Sequence, residues 1–459
     1  MQVKGIRAGF GLQQLGMHWI CIAWGRRCLR AQCTPFCRGL GVVETTRSDS
    51  GELGPMSGWA RLFLPFALGY YLSYLLRTVN AVISPLLTDE LGLSAASLGL
   101  LTSAYFLAFG AAQIPVGIAL DRFGPRRVEA SLLLFAALGS ALFATADSLG
   151  GLASARALVG LGVSACLMGA LKGFALWYPL ERQSSMIGFI MAAGSLGALT
   201  ASVPLEAVLP VLGWRGAFWI IAAVCLLAAV LVLRALPESP AVAGEASLVA
   251  ALRVVAGIFT TPAFLRHAPA SAFFVGGFMA LQSLWVVPWV MNVDRLDLAG
   301  AATVLVALNL GNLAGQLTVG VFGVRLARAG IEPIGLLRIG YGALLVVQGL
   351  ILWSGLPALL LWGVFGLLTA ANSQIYLSAA RAFPPALFGR VSTALNLMAF
   401  VGAFVVQWGF GIGLDLMRGV GAEMPQALAW GFGGLLALQA LAYLPLLGRR
   451  PARSSKGAE

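Results

Sequence analysis

Residues 117–127 read GIALDRFGPRR and form a charged turn between two apolar stretches, which begin near residues 94 and 127. Each stretch contains about 20 or more residues, enough for a helix to cross a hydrocarbon core of about 30 Å. From Leu62 onward the sequence contains twelve such stretches, called spans 1 to 12, which begin near residues 62, 94, 127, 151, 185, 214, 268, 299, 334, 357, 390 and 425. The sequence therefore predicts an all-α integral membrane protein with twelve transmembrane helices.

The composition supports a membrane-embedded chain. Of its 459 residues, 59% are hydrophobic and 10% are charged, and the mean hydropathy is +0.88. Soluble domains contain about 25% charged residues. The 57 glycines include clusters inside spans, where small residues let helices pack closely. We expect a compact helical bundle in a lipid bilayer.

The chain has a formal net charge of +12, and its basic residues are unevenly distributed between the two sides of the membrane. From Met56 onward, sixteen arginine or lysine residues fall on one side of the twelve-span topology, and only Arg215, Arg295 and Arg418 fall on the other. This asymmetry is the positive-inside pattern, which places both termini and the loop between spans 6 and 7 in the cytoplasm. It predicts a multi-pass protein of the cytoplasmic (inner) membrane, and we expect no binding of nucleic acid.

The first 56 residues differ from the rest of the chain. They are basic and contain four of the six cysteines. The cysteine spacing lacks the paired knuckles and nearby histidine of a zinc site, so we predict no metal site and no cofactor. We expect residues 1–56 to be a disordered leader or to lie upstream of a true start at Met56.

The two halves of the chain carry matching residues at a nearly constant offset, which indicates an internal repeat. When the sequence is shifted by 203 positions, matching residues coincide: Pro85 with Pro288, Gln113 with Gln316, Gly117 with Gly320 and Arg122 with Arg325. Internal repeats of this kind build many transporters. We predict an N-terminal six-helix bundle at 57–237, a cytoplasmic linker at 238–265, a C-terminal six-helix bundle at 266–448 and a cytoplasmic tail at 449–459.

The turn at 117–127 resembles the Gly-x-Leu-Ala-Asp-Arg-x-Gly-Arg-Arg loop of the major facilitator superfamily, from which it departs at Ala119 and Pro125. Span 4 carries Arg156, Gly160 and Gly162 in the spacing of a second motif of that family. The resemblance covers residues 57–448. It implies two pseudo-symmetric six-helix bundles, with spans 1, 4, 7 and 10 lining a central cavity, and transport by alternating access.

The resemblance also implies a conformational latch at the first motif. In the family, the aspartate of this loop lies against the N-terminus of helix 11, a contact between a charge and a helix dipole that holds the two halves together. Asp121 takes that position here, and the motif residues are Gly117, Asp121, Arg122, Gly124, Arg126 and Arg127. Val324 stands where the C-terminal half would carry its aspartate, so we expect the second latch to be missing.

An arginine, Arg77, occurs near the middle of span 1. A charge near the bilayer centre costs about 2.5–3.5 kcal/mol and usually faces a protein interior or a watery cavity. At 3.6 residues per turn, Arg77 shares one polar helix face with Tyr70, Ser73, Tyr74, Asn80 and Ser84. We predict that this face lines the substrate cavity, with a structural pairing of Arg77 as the alternative.

Other spans carry polar and aromatic side chains that could complete a binding site: Gln282, Trp285, Asn309, Asn312, Asn372, Tyr376 and Asn396. Amides donate and accept hydrogen bonds, aromatic rings stack, and a guanidinium binds a carboxylate through two parallel hydrogen bonds. The combination favours a small organic anion. Each amide could instead form an ordinary interhelical hydrogen bond.

The energy coupling stays open in the sequence. The carboxylates that we assign lie in outer loops or at span ends: Asp89, Glu90, Asp147, Glu206, Asp294, Asp297, Asp415 and Glu423. We therefore expect no acid buried in mid-span, and we expect His267 to be a surface residue. Lys172 fits either the cavity rim or a snorkelling position at the membrane surface. A coupling proton, a counter-solute and uniport all remain compatible with this pattern.

Several functions compete with transport of an organic anion. Transport of an inorganic anion would resemble the nitrate-type branch of the family, in which two arginines face each other across the halves. Here position 280, the repeat partner of Arg77, is alanine. Multidrug or metabolite efflux needs a roomy aromatic cavity, and a transport-dead scaffold or sensor would explain the altered second loop. We expect no enzyme, because we identify no buried cluster of His, Asp and Glu. The expected partners are a small-molecule substrate and the bilayer, and the expected state is a monomer.

Overall fold

The structure is a computed structural model, and it describes residues 57–238, 248–328, 330, 332–384 and 387–448. Nearly all of these residues are helical. The predicted leader at 1–56 and the predicted tail at 449–459 lie outside the described residues.

The helices follow one another with short connections. In chain order they are Ser57–Leu91, Ala95–Thr145, Leu149–Gly162, Cys166–Trp177, Leu180–Thr200, Val203–Ala235, Leu248–Phe259, Pro262–Ala270, Gly276–Ala280, Val286–Asn292, Leu298–Arg328, Pro333–Trp353, Ala358–Leu368, Asn372–Ala380, Phe388–Gly419 and Met424–Leu447. Two π-helical turns, Ser271–Val275 and Leu281–Trp285, join the three helices of span 7. A 3-10 turn at Thr369–Ala371 joins the two helices of span 10.

These helices account for the twelve predicted spans. Within the described residues, ten helical segments are long and apolar enough to cross a membrane. One of them, Ala95–Thr145, has 51 residues and contains both span 2 and span 3. Gly124 separates the two spans, because its backbone is non-helical, with φ 76° and ψ 163°. That left-handed φ suits glycine, which has no Cβ to clash with the backbone. Span 5 contains the shorter apolar helix Ser185–Thr200.

A helix also lies in the predicted linker. Leu248–Phe259 places Val255 and Ile258 in a small core cluster with Phe264 and Leu395, against which Ile114 of span 2 also packs. Arg253 is exposed. The amphipathic helix thus contacts both halves of the chain.

Small residues set the closest helix contacts in the N-terminal half. A Cβ atom added at Gly160 would collide with the carbonyl oxygen of Tyr105, and one added at Gly162 would collide with the backbone nitrogen of Ala136. The second sequence motif therefore brings span 4 into backbone contact with spans 2 and 3.

The two halves are joined at the end predicted to face outward. The Asp415 carboxylate of span 11 accepts hydrogen bonds from the backbone nitrogens of Ala95 (3.1 Å) and Ala96 (2.9 Å), at the N-terminus of span 2. A carboxylate at this position satisfies unpaired N–H groups and interacts favourably with the helix dipole. We call this contact the Asp415 clamp.

The Gly213–Arg215 segment fastens the same end within the N-terminal half. The Arg215 guanidinium pairs with Glu90 and lies 2.6 Å from Asp147. The Trp214 indole donates to Glu90 over 2.6 Å. Spans 1 and 6 and the start of span 4 are thereby tied together.

Replacing Gly160 with alanine should lower the free energy of unfolding by about 1–3 kcal/mol, because the added methyl group overpacks the contact with Tyr105. The matched control is Gly188→Ala in span 5, where an added Cβ meets open space. Thermal unfolding of both variants in detergent checks the prediction. Equal stability of the two variants would contradict it.

Asp415→Ala should lower stability by about 1–2 kcal/mol, since it removes two charge-assisted hydrogen bonds and a dipole interaction. Asp89→Ala removes an exposed carboxylate at the same end and serves as the control. A thermal unfolding midpoint for Asp415→Ala that matches the control would show that the clamp contributes nothing to stability.

Candidate binding site

Arg77 lies buried in the bundle, with 8% of its surface exposed. Among the described residues, no carboxylate oxygen lies within 4.0 Å of its guanidinium. Its Nε atom is buried without a hydrogen-bond partner. The charge therefore has no fixed counter-ion in this part of the chain.

Aromatic rings surround the Arg77 guanidinium. Its central carbon lies 4.6 Å from the ring centroid of Tyr74, 5.5 Å from that of Phe109 and 5.9 Å from that of Phe400. Phe400 belongs to span 11, so rings from both halves contact one cation. Cation–π contacts contribute about 0.5–2 kcal/mol each, which offsets part of the cost of burying the charge. The positive potential itself remains available to an anion.

Two more of the predicted residues lie beside Arg77. The rings of Tyr70 and Tyr74 meet edge to face, with centroids 5.1 Å apart. Tyr376 of span 10 lies within electrostatic range of both Arg77 and Tyr74, and its hydroxyl donates to Asn396 Oδ1 over 3.4 Å. We call this group the Arg77 cluster and define it by Tyr70, Tyr74, Arg77, Phe109, Tyr376, Asn396 and Phe400.

Asn372 adds an unsatisfied polar atom next to this cluster. It lies one helical turn before Tyr376, and residues four apart share a helix face. Its Oδ1 is buried and has no hydrogen-bond partner. Buried polar atoms without partners are rare in proteins, and a hydroxyl or amine of a ligand would satisfy this one.

The remaining predicted amides form interhelical hydrogen bonds. Gln282 Nε2 donates to Asn309 Oδ1 over 2.6 Å, and Asn309 Nδ2 donates to the Ala198 carbonyl over 3.4 Å. Asn312 Nδ2 donates to Thr369 Oγ1 over 2.7 Å. For Gln282, Asn309 and Asn312 the structure supports the helix-packing interpretation.

Asn80 and Trp285 also make packing contacts. Asn80 Nδ2 donates to Thr102 Oγ1 over 2.9 Å. The Trp285 indole donates to the Gln407 carbonyl over 3.2 Å, and its ring stacks on Phe410 with centroids 4.7 Å apart. Both side chains hold spans 1 and 7 against their neighbours.

Arg156 of the second motif is held quite differently from Arg77. It is 1% exposed, and its Nη1 donates to the Leu76 carbonyl over 2.8 Å. Its guanidinium also lies over the rings of Tyr105 and Phe143, at 5.9 and 5.5 Å. Because Leu76 directly precedes Arg77, this bond fixes the backbone that presents the Arg77 side chain.

The ion pairs of the 117–127 loop involve Lys172 of span 4 and Glu238 at the start of the linker. Asp121 Oδ1 pairs with Lys172 Nζ over 2.6 Å, and Lys172 also donates to the Leu120 carbonyl. Arg126 and Arg127 each lie 3.4 Å from Glu238. Arg122 stacks on Phe123, Gly124 makes the turn, and a Cβ added at Gly117 would meet open space. The role of Asp121 as a latch against helix 11 stays a prediction.

The structure departs from the sequence analysis at two residues. Glu129, near the start of span 3, is not among the carboxylates that we assign from the sequence, and it is fully buried. It follows the charged 117–127 loop so closely that its position in the chain suggests a membrane-surface residue, and only helix packing encloses it. His267 is buried rather than exposed, because its ring bonds the Ala263 carbonyl and lies 3.1 Å from Ser378 Oγ of span 10.

An apolar groove of about 910 Å³ lies elsewhere on the N-terminal half, between spans 2, 3 and 4. Its lining includes Ala111, Pro115, Phe123, Leu132 and Leu158. No residue of the Arg77 cluster lines it. The lining is mostly apolar, its polar or charged members are Arg127, Ser131 and Ser154, and Arg127 is paired with Glu238. We therefore place the candidate site for a small hydrophilic ligand at the cluster.

Sequence reasoning did not identify Phe109 and Phe400. A phenylalanine in an apolar span looks the same in sequence whether it packs in a core or covers a cation. Their role depends on helix rotation and on the approach of span 11 to span 2, which no local pattern encodes.

With the fold and this cluster described, comparison with known proteins identifies the class. The model of the Major Facilitator Superfamily matches residues 66–407, and the chain belongs to this family. Solved structures agree on the fold. A bacterial homologue of the human lysosomal transporter Spinster, in an inward-facing conformation, is 18% identical, with a TM-score of 0.69 over 86% of this chain and 97% of that one. A D-xylose–proton symporter is 17% identical, with a TM-score of 0.69 over 85% and 98% of the two chains.

Curated relatives match a shorter part of the chain. A probable L-galactonate transporter of Escherichia coli K12 is 33% identical over 159 residues, 35% of each chain. A probable sulfoacetate transporter of Cupriavidus necator is 32% identical over 35% of this chain and 37% of its own. A hexuronate transporter of Escherichia coli K12 is 31% identical over 33% and 35%. The alignments thus span about a third of the length of these relatives.

The two buried arginines should respond differently to truncation. Arg156→Ala should lower the unfolding free energy by about 1.5–3 kcal/mol, because it removes the charge-assisted hydrogen bond to the Leu76 carbonyl and the packing of a fully buried side chain. Arg77→Ala should change it by less than about 1 kcal/mol or raise it, since this charge is costly where it lies. Thermal unfolding without ligand checks both. Equal losses would show that Arg77 is a structural residue.

Proposed function

We propose that this protein is a secondary transporter that moves a small organic anion across the cytoplasmic membrane by alternating access. The observation that carries the proposal is the Arg77 guanidinium, buried between rings from both halves with no carboxylate beside it in the described residues. A carboxylate or sulfonate of a substrate would supply the missing counter-charge through charge-assisted hydrogen bonds.

The surrounding cluster suits a hydroxylated acid. Tyr74 offers a ring face, the Tyr376 and Asn396 pair offers hydrogen-bonding groups, and Asn372 offers a free acceptor. The names of the matched relatives, transporters for galactonate, sulfoacetate and hexuronate, all refer to organic acids. They support this substrate class, and the particular acid depends on the shape of the pocket.

Alternating access needs contacts that form and break between the halves. The Asp415 clamp joins them at the predicted outer end. We propose that it opens when substrate enters from outside, and that Asp121 then leaves Lys172 for the N-terminus of span 11. Arg77 lies between these two ends and contacts both halves, so a bound anion would pull them together in either state. One chain contains both halves, and we propose a monomer as the working unit.

The test compares the wild type, Arg77→Gln and Arg61→Gln in detergent, against sugar acids, sulfonates, neutral sugars and lipophilic cations. Arg61 is an exposed arginine on the same span, so it controls for the loss of charge. A ligand at about 100 times its Kd adds about 2.7 kcal/mol of stability. We expect an organic acid to stabilise the wild type and Arg61→Gln but to lose at least about tenfold in affinity for Arg77→Gln. Equal stabilisation of all three proteins by neutral or cationic compounds would overturn the proposal.

A further inference from the structure

Glu129 is a buried acid that binding of an anion at Arg77 does not explain. Its surface exposure is 0%, and neither carboxyl oxygen has a hydrogen-bond partner. It lies near the start of span 3, inside the N-terminal bundle. An ionised carboxylate buried in this way is very costly, so the side chain is protonated in this conformation.

The neighbouring helices leave a space of the size of a carboxyl group. A Cβ atom at Gly69 of span 1 would stand 2.6 Å from Glu129 Oε1, and one at Gly169 of span 4 would stand 2.6 Å from Oε2. Cys166 Sγ lies 3.6 Å from the same point at Gly69. Alanine at either glycine would displace the carboxyl, so these two positions accommodate the acid.

The charged groups around this space are engaged elsewhere. Lys172, one turn beyond Gly169, bonds Asp121 and the Leu120 carbonyl. Arg126 and Arg127, at the start of span 3, pair with Glu238. No described arginine or lysine nitrogen lies within 4.0 Å of the carboxyl.

The titratable groups around Glu129 are two thiols, which are weak donors, and a tyrosine whose hydroxyl donates to Met191 Sδ. They are the buried thiol of Cys166 on span 4, the Cys225 thiol of span 6 behind it, and Tyr70 on span 1, which lies within electrostatic range of Cys166. Water is therefore the proton acceptor that would stabilise the ionised form.

A chain of contacts connects this acid to the Arg77 cluster. Cys166 lies within electrostatic range of both Glu129 and Tyr70, and the Tyr70 ring contacts Tyr74, which covers Arg77. Gly69 precedes Arg77 by eight residues, or about 12 Å along span 1. The acid, on span 3, thus lies beside span 1 on the predicted cytoplasmic side of the cluster, and span 1 carries both Gly69, which it faces, and Arg77.

We propose that Glu129 is a proton-binding site whose proton travels with the organic anion. The neutral carboxyl is stable while spans 1, 3 and 4 enclose it. When water reaches this space at the cytoplasmic end, the O–H bond of the carboxyl breaks, the proton leaves on water, and the hydrated carboxylate remains. Re-enclosure requires a new proton, which in this proposal enters from the outer side past the Arg77 cluster, so each cycle would carry one proton together with one anion on Arg77. This coupling rests on the proposed function, whereas the binding of a proton does not.

The first experiment measures the proton itself. Infrared difference spectra of purified protein, recorded between about pH 5 and about pH 9, follow the C=O stretch of a protonated carboxyl, because carboxyl groups perturbed by burial titrate in this range. The comparison includes Glu129→Gln, which keeps the shape of the neutral acid, and Glu206→Gln, which removes a half-buried acid at the predicted outer end. We expect a titrating band in the wild type and in Glu206→Gln that is absent in Glu129→Gln. A band at Glu129 that never titrates would identify a permanently neutral packing residue and overturn the proposal.

The second experiment measures coupling in proteoliposomes with an organic acid found in the ligand screen. A gradient of one pH unit is equivalent to about a tenfold concentration ratio. Glu129→Gln should lose accumulation driven by such a gradient and keep counterflow exchange, whereas Glu206→Gln should keep both. Accumulation by Glu129→Gln at the wild-type level would refute the coupling and leave the proposed function intact. If no organic acid supports wild-type counterflow, the proposed function fails, and the infrared titration still decides whether Glu129 binds a proton.

Discussion

A guanidinium buried in a membrane bundle without a carboxylate partner is the constraint around which this structure is organised. Arg77 cannot be neutralised, because arginine keeps its charge, and the described neighbours surround it with aromatic rings and the Tyr105 hydroxyl rather than with a carboxylate. Those rings come from spans 1, 2 and 11, so the charge lies where the two halves meet. The same arrangement that makes Arg77 costly in the empty protein makes it available to an anionic ligand.

Close helix packing supports this arrangement. Gly160 and Gly162 bring span 4 against the backbones of its neighbours, and from there Arg156 reaches the carbonyl that precedes Arg77. The two arginines of the N-terminal half thus have separate tasks. Arg156 donates through Nη1 to the backbone of span 1 and holds that helix, and we propose that Arg77 binds the ligand. The Asp415 clamp then brings span 11, and with it Phe400, toward span 2.

Glu129 is a second ionisable side chain that is buried without an ion-pair partner in the described residues. Its place directly after a basic loop is typical of a residue at the membrane surface, but two glycines on spans 1 and 4 open a space that encloses it. His267 shows the same effect at the start of span 7. The amide side chains differ in the same way. Gln282 donates to Asn309, and Asn312 donates to Thr369. Asn372, in contrast, has a buried acceptor without a partner.

The sequence by itself determined the class of fold, because the number, length and apolarity of the spans and the 117–127 motif are local properties of the chain. It also identified Arg77, since a charge within an apolar span is visible without any knowledge of neighbouring helices. Only the tertiary structure decided which polar side chains face Arg77 and which hold helices together, where Phe109 and Phe400 lie, and that Glu129 is enclosed. These outcomes depend on helix rotation and on distances between residues far apart in the chain, which a periodic pattern in one helix does not contain.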